Sequence, residues 1–164
     1  MRVLGLDPGS RCMGVGLVEE HNQHLKLVLG KAIYLPTTLD LGQKMGFIFS
    51  HLIDIIDQYR PQVVAIEDVF LAKNARAALK LGQARGAALA ACAWKQLPIF
   101  SYEPTKVKQS IVGAGRADKK QVAFMVQQLL GCKESWPLDV SDALAVAIAH
   151  LNAARFCSYV GRKV

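Results

Sequence analysis

Two short apolar segments, each ending on a carboxylate, constrain the fold of this chain more than any other feature. Residues 2–7 read RVLGLD and lead into a Pro-Gly turn, and residues 63–67 read VVAIE. Short, almost wholly apolar runs bounded by turn signals are typical of buried strands. A glutamate at the end of such a strand is costly unless its charge is compensated, and a bound metal ion would compensate it. We therefore expect a buried sheet with Asp7 and Glu67 at one edge.

The rest of the chain predicts an α/β order. Three consecutive strands form an antiparallel meander, and helices then alternate with two further strands. This order predicts a mixed five-stranded sheet, with three antiparallel strands and then two parallel ones, flanked by helices. The predicted strands cover 2–7, 13–19, 25–35, 63–67 and 99–102, and the predicted helices cover 39–59, 75–96, 117–130 and 139–156.

Composition limits the class of protein. The chain has 164 residues, 52% of them apolar and 20% charged, which suits a folded domain and excludes disordered, collagen-like and coiled-coil chains. No apolar stretch approaches the roughly 20 residues that span a bilayer, and the N-terminus lacks signal-peptide features, so we expect a cytoplasmic protein. We expect one domain over 1–156 and a C-terminal tail over 157–164. Neither the four cysteines nor the four histidines have metal-site spacing.

The positive charge is concentrated in the middle of the chain. The net charge is +7, and the segment 73–120 holds ten basic and two acidic residues, a local balance of +8. Clustered Lys and Arg favour a polyanion-binding face, because neutralising phosphates releases condensed counterions. The alternative is a solvated surface that is merely basic.

Two further acids begin the last predicted helix. Asp139 and Asp142 are three residues apart, which puts both on one face of its first turn. Acids that converge without neutralising partners suit Mg²⁺, which takes oxygen ligands. Each also has a structural alternative, since Asp7 suits a turn and Asp139 or Asp142 suits a helix cap.

Four segments of the sequence together resemble the RuvC family of Holliday junction resolvases. They cover nearly the whole chain in the family's order. They read GLDPGSRCMGVGLVE at 5–19, AIEDVFLAKNARAALKLGQARGAALAA at 65–91, VKQSIVGAGRADKKQV at 107–122 and DVSDALAVAIAH at 139–150. The resemblance implies an RNase H-like fold, a homodimer and Mg²⁺-dependent nicking of two opposed strands at a four-way DNA junction. It also implies RuvA and RuvB as branch-migration partners.

The same resemblance assigns roles to individual residues. It makes Asp7, Glu67, Asp139 and Asp142 the ligands of two Mg²⁺ ions, with Mn²⁺ as a substitute. It places Lys108 and Lys119 near the scissile strand and Phe70 at the opened centre of the junction. We also expect Lys119 to be catalytic, because in the first turn of its predicted helix it could neutralise charge that builds on the phosphate. For Lys119 the alternative is a plain phosphate contact or a solvated lysine, and for Phe70 it is a core position. The basic segment adds further predicted DNA contacts at Lys73, Asn74, Arg76, Lys80, Lys106, Arg116 and Lys120.

Three functions fit these observations. A junction-resolving endonuclease accounts for the acids and the basic segment together, and it would leave 5′-phosphate and 3′-hydroxyl ends. A different phosphoryl-transfer enzyme, such as an RNase or an actin-type sugar kinase, would keep the sheet, although the kinase needs a second half for which 164 residues leave no room. A non-catalytic DNA-binding module would leave the four acids unexplained.

The composition of the helix predicted at 75–96 suggests a dimer. It contains eleven alanines and glycines, more than one core-facing stripe requires. Small side chains let two helices approach closely, so we expect a second copy of the same helix to pack there as a C₂ dimer with one acid cluster for each nick. A monomer core is the competing use of these residues.

Overall fold

The computed structural model describes residues 1–68 and 75–160. None of the helices in these two ranges is long and apolar enough to cross a membrane. The elements in chain order are β1 (Arg2–Asp7), β2 (Cys12–His21), β3 (His24–Tyr34), α1 (Leu41–Tyr59), β4 (Val63–Glu67), α2 (Ala75–Trp94), β5 (Ile99–Tyr102), α3 (Pro104–Val112), α4 (Lys119–Leu130) and α5 (Leu138–Val160).

The sheet has the predicted five strands, in the order β3-β2-β1-β4-β5. β1 and β2 pair antiparallel, as do β2 and β3, whereas β4 lies parallel to both β1 and β5. In the β1–β4 pair, Leu6 lies opposite Ile66. Asp7 and Glu67 each come one residue later, so the predicted placement of both acids at one edge of the sheet is confirmed.

Helices cover both faces of the sheet and divide the core into two layers. One layer packs Leu4, Leu6 and Ile66 against α1 and α2. The other packs Val3 and Ala65 against α3, α4 and α5. α5 is the most deeply buried helix, with every side chain from residue 143 to residue 148 fully inaccessible. The chain therefore buries β1 and β4 on both faces, as their nearly continuous apolar sequences require.

Glycines in β1 and β2 let α5 lie directly against the sheet. A Cβ atom built on Gly14 would stand 1.9 Å from the backbone oxygen of Asp139, and one on Gly5 would stand 2.0 Å from that of Ala143. Neither position can carry a side chain unless α5 moves away. This close approach fixes the first turn of α5 beside the strand ends.

Several boundaries differ from the sequence prediction. α3 was not predicted, because its nine residues bury only Val107 and Ile111 and show too little periodicity. α4 begins at Lys119 rather than Ala117, since Asp118 accepts a hydrogen bond from the backbone of Gln121 and caps the helix. α5 begins one residue earlier than predicted and continues past residue 156 to residue 160, because no helix-breaking residue precedes position 161.

Candidate active site

The structure gathers all four predicted acids at the carboxyl ends of β1 and β4. Asp7 ends β1, Glu67 ends β4, and Asp139 and Asp142 lie in the first two turns of α5. The negative charges of Glu67, Asp142 and Asp139 all act on Asp7. We call these four residues the acid cluster.

Burial and the charges of neighbouring acids make Asp7 and Glu67 hard to ionise. Burial raises the pKa of Asp7 to about 8, and the charges of Glu67 and Asp142 add to this effect, whereas Lys119 opposes it. Burial and the charge of Asp142 also raise the pKa of Glu67, while a hydrogen bond from Asp7 lowers it. Asp7 therefore keeps its proton to a higher pH than a free aspartate does, and in that form it can donate to Glu67.

Lys119 neutralises part of this charge. Its Nζ lies 2.5 Å from Oδ2 of Asp142, whose side chain is only 13% exposed. Burial lowers the pKa of Lys119, but the hydrogen bond and charge of Asp142, together with the charges of Asp7 and Glu67, raise it above its ordinary value. The lysine side chain itself is 57% exposed, so the ammonium group faces both the acids and solvent.

A groove of about 210 Å³ opens beside the acid cluster. We call it the acid-side groove, and its lining residues are Glu67, Pro104, Val107, Lys108, Lys119, Val122, Asp142 and Ala145. It brings two carboxylates and two lysines together over an apolar floor. The charge of Lys108, on α3, is close enough to lower the pKa of Glu67. A phosphate in this groove would meet both lysines while it lay against the acids.

The donor set fits hard cations. Within residues 1–68 and 75–160, no group of three or more His, Cys, Asp or Glu side chains already encloses a point where a metal ion could sit. The carboxylates are instead held by the proton between Asp7 and Glu67 and by the ion pair between Asp142 and Lys119. Carboxylate oxygens are nevertheless the ligands that Mg²⁺ prefers. The acid cluster therefore fits such an ion, provided that it displaces the proton and loosens the lysine.

Cys12 is a site residue that the sequence reasoning missed. Its thiol donates a hydrogen bond to Asp139, and burial together with the charges of Asp139 and Asp7 raises the pKa of Cys12 to about 11. The group stays a neutral thiol at physiological pH. The signal was its position directly after the turn that follows Asp7, which was overlooked because the cysteines were considered only for metal or disulfide spacing.

The predicted DNA-binding residues fall into three groups. Phe70, Lys73 and Asn74 lie outside the described residues. Lys106, Arg116 and Lys120 are exposed in or near α3 and α4, on the same layer as the acid-side groove, and Arg76 is exposed near the start of α2. Lys80 is also exposed, but it lines a separate cavity in the α1–α2 layer.

The charge of the basic segment is partly neutralised within the fold. Arg85 lies 2.7 Å from Asp68, and Lys95 lies 2.6 Å from Asp57. Arg85 also donates to the hydroxyl of Ser101 at 2.8 Å. Both cations hold α2 against neighbouring elements, so the local balance of +8 overstates the charge available to a polyanion.

Comparison with known proteins identifies the family. The sequence model of the family described as crossover junction endodeoxyribonuclease RuvC matches residues 3–150. The chain is 50% identical over 161 residues to the crossover junction endodeoxyribonuclease RuvC of Solidesulfovibrio magneticus, covering 98% of this chain and 95% of that protein.

Solved structures give the same result. Thermus thermophilus RuvC in complex with a Holliday junction substrate has a TM-score of 0.87 and 32% identity, covering 95% of this chain and 96% of that one. The yeast mitochondrial Holliday junction resolvase Ydc2 shares the fold at a TM-score of 0.67 and 13% identity, covering 96% of this chain and 85% of that one. The predicted RNase H-like fold is confirmed. Because half of its residues match those of one such endonuclease along nearly the whole chain, this protein belongs to the RuvC family.

Proposed function

We propose that this protein resolves four-way DNA junctions by two symmetric, Mg²⁺-dependent nicks that leave 5′-phosphate and 3′-hydroxyl ends. The observation that carries the proposal is the acid cluster, in which partly buried carboxylates meet at one edge of the sheet beside two lysines. A junction-binding module without catalysis would gain nothing from this arrangement, since the negative charge that remains on the acid cluster repels the phosphate backbone. With chromosomal DNA as substrate, we expect it to act in the cytoplasm.

Asp7, Glu67, Asp139 and Asp142 would hold the cations. Two bound Mg²⁺ ions, or Mn²⁺ in their place, would activate water and stabilise the departing 3′ oxygen. The chain's own contribution is to fix the carboxylates on rigid elements, because Asp7 and Glu67 end paired strands and Asp139 is held by the approach of α5 to Gly14. The thiol of Cys12 orients the Asp139 carboxylate by donating to it.

Lys119 and Lys108 would bind the scissile phosphate. Lys119 sits at the first residue of α4 with its ammonium group at the rim of the acid-side groove, and Lys108 lines the same groove from α3. In this position Lys119 can neutralise charge that develops on the phosphate oxygens. We keep the remaining predicted contacts, including Phe70, as part of the proposed DNA interface.

A homodimer through α2 would place one acid cluster at each of two opposed strands. The small residues of α2 lie on two sides of the helix. Ala84, Ala88 and Ala91 are buried in the core, whereas a side chain added at Gly82 or Gly86 would meet nothing within 4 Å.

The exposed face of α2 therefore supports contact with a second copy. Gly82 and Gly86 are four residues apart and lie on one helix face, and two large apolar side chains of the same helix are exposed, with Leu79 at 63% and Trp94 at 75%. An isologous contact there would put the two sites on the order of 30 Å apart. We propose RuvA and RuvB as further partners on the strength of family membership alone.

The test is cleavage of a synthetic four-way junction, with a duplex of the same sequence as control. We expect paired nicks in Mg²⁺, none in EDTA, and products that a DNA ligase can seal. Asp7→Asn and Glu67→Gln should each abolish cutting and still bind the junction, while Asp54→Asn, on the exposed side of α1, should cut normally. Wild-type cutting by both acid-cluster variants would show that the metal site lies elsewhere.

A further inference from the structure

A second cavity lies on the opposite face of the sheet from the acid-side groove. It has a volume of about 520 Å³ and is formed where the β1–β2 turn, the end of β3 and the first turns of α1 and α2 meet. We call it the α1–α2 cavity. Its lining residues are Ser10, Arg11, Tyr34, Leu35, Thr37, Leu41, Lys44, Met45, Lys80 and Ala84.

The charge of the α1–α2 cavity is entirely positive. Arg11, Lys44 and Lys80 contribute cations, and none of the lining residues is acidic. Among the residues that the structure describes, none of these three cations forms an ion pair with a carboxylate. Arg85 and Lys95, in contrast, are paired with acids inside the fold. Three unpaired cations around one cavity favour an anionic occupant.

The rest of the lining is apolar or aromatic, apart from the hydroxyl-bearing side chains of Ser10 and Thr37. Leu35 and Ala84 are buried at its floor, and the Tyr34 side chain is 64% exposed at its rim. A phosphate alone would not require an apolar floor, and a purely apolar ligand would not require three cations. A nucleotide combines a flat base, which stacks on aromatic rings, with a charged phosphate. The volume falls within the range of about 300–1,000 Å³ that small-ligand pockets occupy.

One lining residue of the cavity is close in sequence to the acid cluster. Ser10 follows Asp7 by three residues, so an extended chain separates them by at most about 11 Å. The cavity belongs to the layer that packs α1 and α2, whereas the acid-side groove belongs to the layer of α3, α4 and α5. A DNA strand bound across the acid cluster would therefore have Lys108 and Lys119 on one side and the α1–α2 cavity on the other.

We propose that the α1–α2 cavity is a nucleotide-binding pocket that holds one nucleotide of the junction, near the cut, by its phosphate and its base. Arg11, Lys44 and Lys80 bind the phosphate, and the ring of Tyr34 stacks on the base. The proposal rests on the proposed junction cleavage and adds a contact on the far side of the acids from the groove.

The phosphate contact is tested by the salt dependence of junction binding in EDTA. Arg11→Ala and Lys44→Ala should each weaken binding and lower the slope of log affinity against log salt by about 1. Lys26→Ala is the matched control, because Lys26 is exposed on the same strand as Tyr34 but about 26 Å away along it. Slopes of both cavity variants equal to that of the control would overturn the proposal.

The base contact is tested with junctions that carry an abasic residue at successive positions around the cut. Tyr34→Ala should weaken binding to the intact junction about tenfold, and Tyr34→Phe, which keeps the ring, should bind normally. At one position the abasic residue should weaken binding by the wild type but should not further weaken binding by Tyr34→Ala. If the abasic residue lowers the affinity of both proteins by the same factor at every position, Tyr34 does not stack on a base.

Two further outcomes separate this proposal from its alternatives. A change of oligomeric state in Arg11→Ala or Tyr34→Ala, measured by sedimentation, would mean that a second copy of the chain fills the cavity, and the proposal would fail. Wild-type cutting of the junction in Mg²⁺ tests the proposed function separately. A wild type that cuts, together with cavity variants that bind normally, would refute the nucleotide pocket alone.

Discussion

Replacing Asp7 with asparagine should stabilise the fold while it abolishes cutting. The pKa of Asp7 is about 8 in the folded protein and 3.8 without its surroundings. At pH 7 the unfolded chain carries this carboxylate ionised, whereas the folded protein must keep it protonated. The gap of about three units between pH 7 and the unfolded pKa corresponds to about 4 kcal/mol of stability lost at neutral pH. An amide has no proton to lose and avoids this cost.

The sign of the effect gives it a specific pH dependence. A carboxyl group whose pKa is raised by folding contributes its full stability below the unfolded pKa, and this contribution is lost as the pH rises to the folded pKa. The wild type should therefore lose stability relative to Asp7→Asn between about pH 4 and pH 8. Below about pH 4 the two proteins should converge, because Asp7 is then protonated in both the folded and the unfolded state.

Chemical denaturation in EDTA at pH 4, 6 and 8 measures this difference, with Asp54→Asn as the control for a change of charge on the surface. We expect Asp7→Asn to gain about 5 kcal/mol at pH 8, or roughly 10–20 °C in Tm. Added Mg²⁺ should then stabilise the wild type more than the variant, since only a ligand that binds the folded state raises stability. A gain that is absent, or equal at pH 4 and pH 8, would refute the assignment of the raised pKa.

Three other perturbations test the interface, the packing and the dimer. Lys108→Ala should lower the salt slope of junction binding by about 1, and an unchanged slope would exclude Lys108 from the interface. Gly14→Ala should cost several kcal/mol in urea denaturation, because its Cβ would stand 1.9 Å from the backbone oxygen of Asp139, and a neutral result would mean that α5 can shift freely. Gly86→Leu should leave the monomer fold intact, since the position faces open space, but should shift sedimentation from dimer to monomer; a stable dimer would place the interface elsewhere.

The sequence was sufficient to predict that Asp7 and Glu67 lie together, because each of them ends a regular strand. Apolar runs define β1 and β4, and parallel neighbours in a sheet bring their carboxyl ends together. The position of Asp7 beside Glu67 then follows without any knowledge of side-chain contacts. The position of α5 could be inferred only from the resemblance, since the close approach at Gly14 depends on tertiary packing that has no local signal.

Other features of the site could not be predicted, because they depend on which groups meet across the fold. α3 is too short to show a period, although it carries Lys108. Cys12 reaches Asp139 from a different element. The sequence gives the total charge of the basic segment but not which of its side chains face solvent. Arg85, for example, lies on α2 and pairs with Asp68, the residue that follows β4. Charge counted along a sequence cannot distinguish cations that face solvent from those that hold the fold together.

The packing of the strands and of α5 explains why the carboxylates of the acid cluster stay close together despite their mutual repulsion. Asp7 and Glu67 cannot separate, because they end strands whose register is fixed by the β1–β4 pairing. Asp139 is held beside them, because the backbone of α5 packs directly against Gly14. A proton, Lys119 or an added cation can relieve the repulsion among these groups without moving the backbone. A fold that prevents its acids from moving apart thus converts their repulsion into affinity for a metal ion.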